Sequence, residues 1–279
     1  MISTAEQALS EIGITPDDLT KEHLDQLETD GYFKVPGYLS ADQLNDLREA
    51  FEKCERDPLV RDDLSIEPGT SVFLVDLFNK SSAFDQCMRI GPTLAAAHHL
   101  MGEIKVHSLH GRNPSKGRGR QALHSDVPRL APRDWRLVNT MILLDDVSEE
   151  NGATRVVPGS HHLPTLNAPD GNLGGVDRPV HSQEELALLP EDSLADHPRE
   201  VKLTGEAGTI CVINGSIWHG GTLNRSGAPR RLLHMAISRR DVQFQPEHMT
   251  DLTQNLLERA DPVMRYLLDL DGAEAAVGD

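Results

Sequence analysis

Ala122-Leu123-His124-Ser125-Asp126 sets two metal-binding side chains two residues apart in a short run with strand character. Alternate residues of a β-strand point to the same face, so His124 and Asp126 can reach one ion together. A third donor stands far along the chain, His219 within Ile217-Trp218-His219-Gly220-Gly221, and Arg230 follows eleven residues later. Two imidazoles and one carboxylate on one face of an octahedron leave the opposite positions open, which is the facial triad of non-haem Fe(II). If His219 ends one strand and Arg230 lies on the next, a turn through Leu223-Asn224-Arg225-Ser226-Gly227 returns Arg230 to the same interior. A planar guanidinium there is suited to hold a carboxylate through two parallel hydrogen bonds. With 13 histidines in the chain, His-x-Asp arises easily by chance, so the triplet draws its weight from its surroundings.

Those surroundings are rich in short strands. Apolar and β-branched runs bounded by Gly and Pro predict strands over 104–109, 122–126, 137–144, 154–157, 201–203, 209–213 and 231–238. Apolar residues at helical spacing, such as Leu44, Leu47 and Phe51, predict helices over 19–30 and 41–53, the second with Ser40 as its N-cap, and a third over 82–101. The class is therefore mainly β with flanking α-helices, a sandwich or double-sheet jelly roll rather than a parallel sheet. A chain of 279 residues can bury this as one domain, with residues 1–18 and 271–279 expected to be flexible. Residues 57–70 and 161–199 do not read as part of the barrel. The second is Pro- and Gly-rich, with a short helix over 184–189, and reads either as a lid over the metal or as a surface insertion.

Beyond Asp126 stands Glu150-Asn151-Gly152-Ala153-Thr154-Arg155-Val156-Val157-Pro158-Gly159-Ser160-His161. The order HxD, NGxxxxxPGSH, second His and Arg eleven residues on resembles the phytanoyl-CoA dioxygenase family of Fe(II)/2-oxoglutarate oxygenases. Asp30-Gly31-Tyr32-Phe33-Lys34-Val35-Pro36-Gly37-Tyr38-Leu39-Ser40 resembles the opening of that family, a strand leading to a helix, so the likeness covers roughly residues 20–240. It implies the double-stranded β-helix (jelly-roll, cupin-like) fold, with Fe(II) held by His124, Asp126 and His219 as the catalytic centre. Arg230 would take the C5 carboxylate of 2-oxoglutarate. Gln121 matches a position that touches the co-substrate in some relatives, although a regular strand would face it away from His124, so a bend is needed. Asn224 and Ser226 match a family pattern too, and read equally well as turn formers bonding local backbone.

The reaction implied is oxidative decarboxylation of 2-oxoglutarate with O2, coupled to hydroxylation or another oxidation of an unactivated C–H bond of a small-molecule substrate. The Asn-Gly-Ala-Thr-Arg-Val-Val-Pro-Gly-Ser-His version looks closest to the branch working on secondary metabolites. Other readings stay open at this level. A cupin-like isomerase or hydrolase could use the same triad with Zn or Mn, and a small-molecule-binding protein could carry it incidentally, whereas Asp126 argues against a halogenase with an open carboxylate position.

Net charge is −17, which argues against nucleic acid as a general partner. Cys54, Cys87 and Cys211 are widely separated and odd in number, as in a reducing compartment. No signal peptide and no membrane span is read, so a cytoplasmic enzyme, monomer or homodimer, is expected. The arginines of 111–136 and 225–240 read as solvated loop charge or as an electropositive funnel for anions. His98, His99, His107, His110, His161 and His162 read as packing or surface residues, and Trp218 as core on the side of its strand opposite His219.

Overall fold

The computed structural model describes residues 2–57, 71–170, 176–242 and 252–270. Among these residues nine strands form two antiparallel sheets: β1 (Tyr32–Val35), β2 (Ser71–Leu74), β3 (Ile104–Pro114), β4 (Leu137–Leu143), β5 (Thr154–Val156), β6 (Val201–Leu203), β7 (Ile210–Asn214), β8 (His219–Gly221) and β9 (Leu232–Arg239). The larger sheet has the order β1-β7-β4-β9-β3-β2 and the smaller β6-β5-β8.

Strand β4 shows how sequence builds the layers. Met141 and Leu143 point between the sheets into a core with Val156, Cys211, Ile213 and Leu232. Their neighbours Val138 and Ile142 point outward into the core beneath the helices, where the Thr140 hydroxyl meets Thr93 at 3.0 Å. Both faces are apolar because both are covered. The helices α1 (Ala5–Glu11), α2 (Lys21–Thr29), α3 (Ala41–Arg56) and α4 (Gly91–Met101) lie on the outer side with those of the C-terminal region, Gln254–Arg259 and Pro262–Leu267.

Several expectations are corrected. The helix read over 82–101 is a 3-10 helix, Ser82–Arg89, followed by α4, because Pro92 lacks an N–H and serves as the first turn of a new helix. Residues 122–126 form no continuous strand, only an isolated bridge between His124 and His219. Strand β2 was not anticipated, and β3 runs on to Pro114 through what reads as basic loop. Nor is the described part of residues 1–18 loose: α1 buries Ala5, Ala8 and Leu9 and packs on the helix Pro262–Leu267. The short helix expected over 184–189 is present, as Gln183–Leu186 with Ser182 as its N-cap. Residues 58–70, 171–175 and 271–279 of the segments read as loop, lid and tail lie outside the described residues. Cys54, Cys87 and Cys211 are buried free thiols, and no helix among the described residues is long and apolar enough to cross a membrane.

Candidate metal centre

His219 opens β8, and its backbone is what places His124. Each residue's N–H donates to the other's carbonyl at 2.9 Å. This pairing extends the smaller sheet by the segment that carries the triplet. Two residues further along β8, the Gly221 carbonyl accepts from the Gln121 N–H at 3.0 Å, although a regular antiparallel ladder would offer it residue 122. One extra residue therefore lies on the His124 side, as in a β-bulge. The Gly221 N–H, left without a main-chain acceptor, donates instead to the Gln121 side-chain Oε1 at 3.0 Å. That slip is a bend at the position where a regular strand would face Gln121 away from His124, and it leaves Gln121 lining the cleft of Arg230. Glycine is needed opposite it, since a Cβ at Gly221 would stand 2.2 Å from the Gly119 carbonyl oxygen.

The triad converges. His219 Nε2 lies 3.3 Å from Asp126 Oδ2, and His124 Nε2 lies 3.6 Å from Asp126 Oδ1. One donor atom from each residue falls within 4.8 Å of the others. Both rings are held the same way: Nδ1 of His124 bonds the Ala122 carbonyl at 2.9 Å, and Nδ1 of His219 bonds the Ile217 carbonyl at 3.0 Å. Binding the carbonyl fixes the proton on Nδ1 and leaves the Nε2 lone pair for a metal. Asn139, on the inner face of β4, donates to Asp126 Oδ2 and orients that carboxylate. Burial opposes the charge of Asp126, but His219 and then His124 outweigh it and hold the carboxyl well below its usual range. An ionised carboxylate facing two imidazole Nε2 atoms is a donor set that fits a divalent first-row ion such as Fe(II).

Arg230 supplies the second element. It is buried, its Nε donates to the Gly152 carbonyl at 2.7 Å, and its N–H donates to Asn113 Oδ1 at 3.2 Å. Neither Nη has a hydrogen-bond partner among the described residues, so the fork points into a cleft lined by Phe73, Arg112, Asn113, Gln121 and Gly221. Burial, and then Arg112, pull the guanidinium pKa down to about 9. A buried cation without a counter-ion is costly, and a ligand carboxylate would relieve it.

The sequence motif now has a physical reading. Gly152, at φ +96°, sits so close to Thr222 O that a Cβ would be 3.0 Å away, and its carbonyl aims Arg230. Ser160 Oγ accepts from the Trp218 N–H at 2.7 Å, and His161 bonds the Glu28 carbonyl at the end of α2 at 3.1 Å. Trp218 packs in the core with Leu123, Val157 and Leu166, as expected.

Not every expected residue reaches the site. Ser226 is exposed in the turn, where its hydroxyl donates to Asn224 Oδ1 at 3.2 Å and accepts from the Ala228 N–H at 3.0 Å. Asn224 ties that turn to Pro114 O at 2.9 Å. The local-backbone reading is the one the geometry follows. Most of the clustered arginines are neither solvated nor a funnel. Arg129 caps the carbonyls of His162 and Leu163, Arg231 pairs with Asp145 and Glu52, and Arg239 pairs with Asp134 and Asp241.

Reading the sequence missed Asn139 and His234. Asn139 had a signal, a buried polar residue in an otherwise apolar strand. His234 had none, because only the register of β3 and β9 turns it inward. Arg112, one of the clustered arginines read as a possible funnel for anions, does line the cleft of Arg230. Burial holds the His234 imidazole down to about 4, hence neutral, beside the triad.

A sequence profile of the phytanoyl-CoA dioxygenase family matches residues 27–232. An ectoine dioxygenase of Bordetella parapertussis is 26% identical over 245 residues, spanning 82% of this chain and 79% of its own. An L-proline trans-4-hydroxylase of Streptomyces griseoviridis is 27% identical over 238 residues, spanning 78% of this chain and 85% of its own. Among solved structures, the non-heme alpha-ketoglutarate-dependent carbocyclase SnoK from nogalamycin biosynthesis superposes with a TM-score of 0.62 at 20% identity, covering 89% of this chain and 93% of that one. HygX from Streptomyces hygroscopicus, with nickel and 2-oxoglutarate bound, superposes with a TM-score of 0.58 at 17% identity, covering 80% and 88%. The two facing sheets are accordingly a double-stranded β-helix.

Proposed function

Since the chain belongs to the phytanoyl-CoA dioxygenase family, we propose that it is an Fe(II)- and 2-oxoglutarate-dependent dioxygenase that oxidises an unactivated C–H bond of a small-molecule metabolite, within a cytoplasmic setting. One observation carries this reading. The chain combines the converging His124-Asp126-His219 donor set with the open fork of buried Arg230, which shares its cleft with Gln121 and Gly221, the latter two residues beyond His219 on β8. A non-redox isomerase or hydrolase would use the triad but has no use for that fork.

When bound, Fe(II) with 2-oxoglutarate and O2 supplies the oxidising power for the C–H bond. This chain's residues bind and orient. His124 and His219 would present Nε2, and Asp126 an oxygen held by Asn139. Arg230 would take the distal carboxylate of 2-oxoglutarate through both Nη, with Nε fixed on Gly152. His234, half-buried and neutral, adds no competing charge beside Asp126.

Two relatives are named for the oxidation of ectoine and of L-proline. These names support a small metabolite rather than an acyl-CoA as substrate. The decisive assay is succinate formation from 2-oxoglutarate with and without Fe(II), run on the wild type and on His124→Ala, Asp126→Ala and His219→Ala. Iron-dependent succinate in the wild type and none in the three variants is expected. Iron-independent turnover, or full activity in any triad variant, removes the assignment.

A further inference from the structure

Arg155 occupies the middle of β5, opposite Gly220 of β8, with a fully buried side chain. Its Nη1 donates to the Ala195 carbonyl at 2.6 Å and to the Glu200 carboxylate at 3.0 Å. Its Nη2 donates to the carbonyls of Gln121 and Ser193, both at 3.0 Å. One guanidinium thus joins three stretches distant in sequence: β5, the segment leading to His124, and the far end of the 161–199 insertion.

The main chain repeats the connection. The Leu123 N–H donates to the same Ser193 carbonyl at 2.8 Å, and the Ser125 N–H donates to Leu166 O at 2.7 Å. Asn167 Nδ2 donates to Leu123 O at 3.1 Å. His124 is held by His219 on one side, while the residues before and after it are held by the two ends of the insertion on the other. Those ends serve as an edge strand would, since the bulged segment has no regular ladder there.

We propose that Arg155 is a positioning residue, which fixes the metal-ligating segment by latching the Ser193–Glu200 end of the insertion against it. The inference rests on His124 being a metal ligand. Lysine cannot replace this fork, because one ammonium on a flexible stem does not span the Glu200 and Ala195 acceptors and the Gln121 and Ser193 acceptors together. Loss of the fork takes the guanidinium from the Ala195 and Gln121 carbonyls and leaves Ser193 O and the Glu200 carboxylate with only the Leu123 and His197 N–H groups, so the segment bearing His124 loses part of its outer support.

The test compares wild type with Arg155→Lys by amide hydrogen exchange of the metal-free protein and by titration with Co(II) as the probe ion. Exchange at Leu123 and across residues 193–200 should accelerate at least about tenfold while β4 and β9 keep their wild-type rates. Co(II) affinity should fall about tenfold or more, as for loss of other groups that orient ligands. Unchanged exchange at Leu123, acceleration shared equally by β4 and β9, or wild-type Co(II) affinity overturns the proposal. Glu200→Gln, which removes the buried counter-charge but keeps the carbonyl contacts, should give the same local pattern at smaller amplitude, and carries the test if Arg155→Lys does not fold. Neither measurement needs turnover. A wild type that makes no succinate sinks the assigned reaction, and the exchange pattern still judges the latch.

Discussion

Asn139 and Arg230 each show one side chain being aimed by another. The Asp126 carboxylate is oriented by the Asn139 amide, so Asn139→Ala should leave all three metal ligands in place and still weaken Fe(II) binding about 10–100-fold. Anaerobic metal titration beside far-UV circular dichroism checks this. Wild-type affinity would show that the amide contact is incidental. Arg230→Lys keeps a charge but loses both the two-pronged fork and the bond to Gly152. Its apparent Kd for 2-oxoglutarate should rise at least about tenfold, since bonds to charged groups contribute about 1.5–3 kcal/mol. Equilibrium binding with the metal present is the measurement. These roles were unequally legible: His124, Asp126, His219 and Arg230 announce themselves by residue type and spacing, whereas Asn139 is visible only as a polar residue out of place in an apolar run.

At the level of elements, β8 and the segment beside it depend on glycine and on a slipped register. Gly221→Ala would drive a Cβ onto the Gly119 carbonyl oxygen, a main-chain atom that cannot swing aside. A destabilisation of about 1–3 kcal/mol is expected, together with weaker metal binding because His219 shares the strand. Denaturant unfolding followed by metal titration reads both, and wild-type values for the pair would show that the chain relaxes freely there. The residues just before β9 supply a contrast in Arg231, next to Arg230 yet turned outward onto Asp145 and Glu52. Burial would raise the Asp145 carboxyl, but the hydrogen bonds and charge of Arg231 outweigh it and hold it below its usual value. A depressed carboxylate contributes stability that is present above its unfolded pKa of about 3.9 and is lost as pH falls through the lower folded value. Arg231→Met should therefore lower stability near neutral pH by about 2 kcal/mol, less than loss of a fully buried pair. The gap to wild type should close below about pH 3, with 2-oxoglutarate affinity unaffected throughout. A gap that persists in acid would assign the loss to packing.

Among the described residues the two largest apolar cores lie between the sheets and beneath the helices, and neither includes the triad. Metal removal should accordingly leave a folded protein. Added Fe(II) should raise the unfolding free energy only by mass action, about 2.7 kcal/mol at a hundredfold excess over Kd. Thermal unfolding across a metal series checks this, and global unfolding on chelation would make the centre structural. The same division explains what could be read in advance. The apolar run of β4 bounded by turn residues, the helical faces of α2 and α3, and the His-x-Asp triplet are local patterns, set by backbone geometry within a few residues, so the sequence by itself determined the sheet-rich class and the identity of the candidate ligands. Tertiary structure alone decided that Gln121 meets the Gly221 N–H and lines the cleft of Arg230, that Ser226 stays outside, that Arg112 and Arg230 face inward while Arg120, Arg129 and Arg155 bind carbonyls of the insertion, and that the two ends of this insertion bond the residues flanking His124. Each of these depends on how segments far apart in the chain align edge to edge. A one-residue slip in that alignment reverses the face of every side chain without leaving a mark on composition or periodicity.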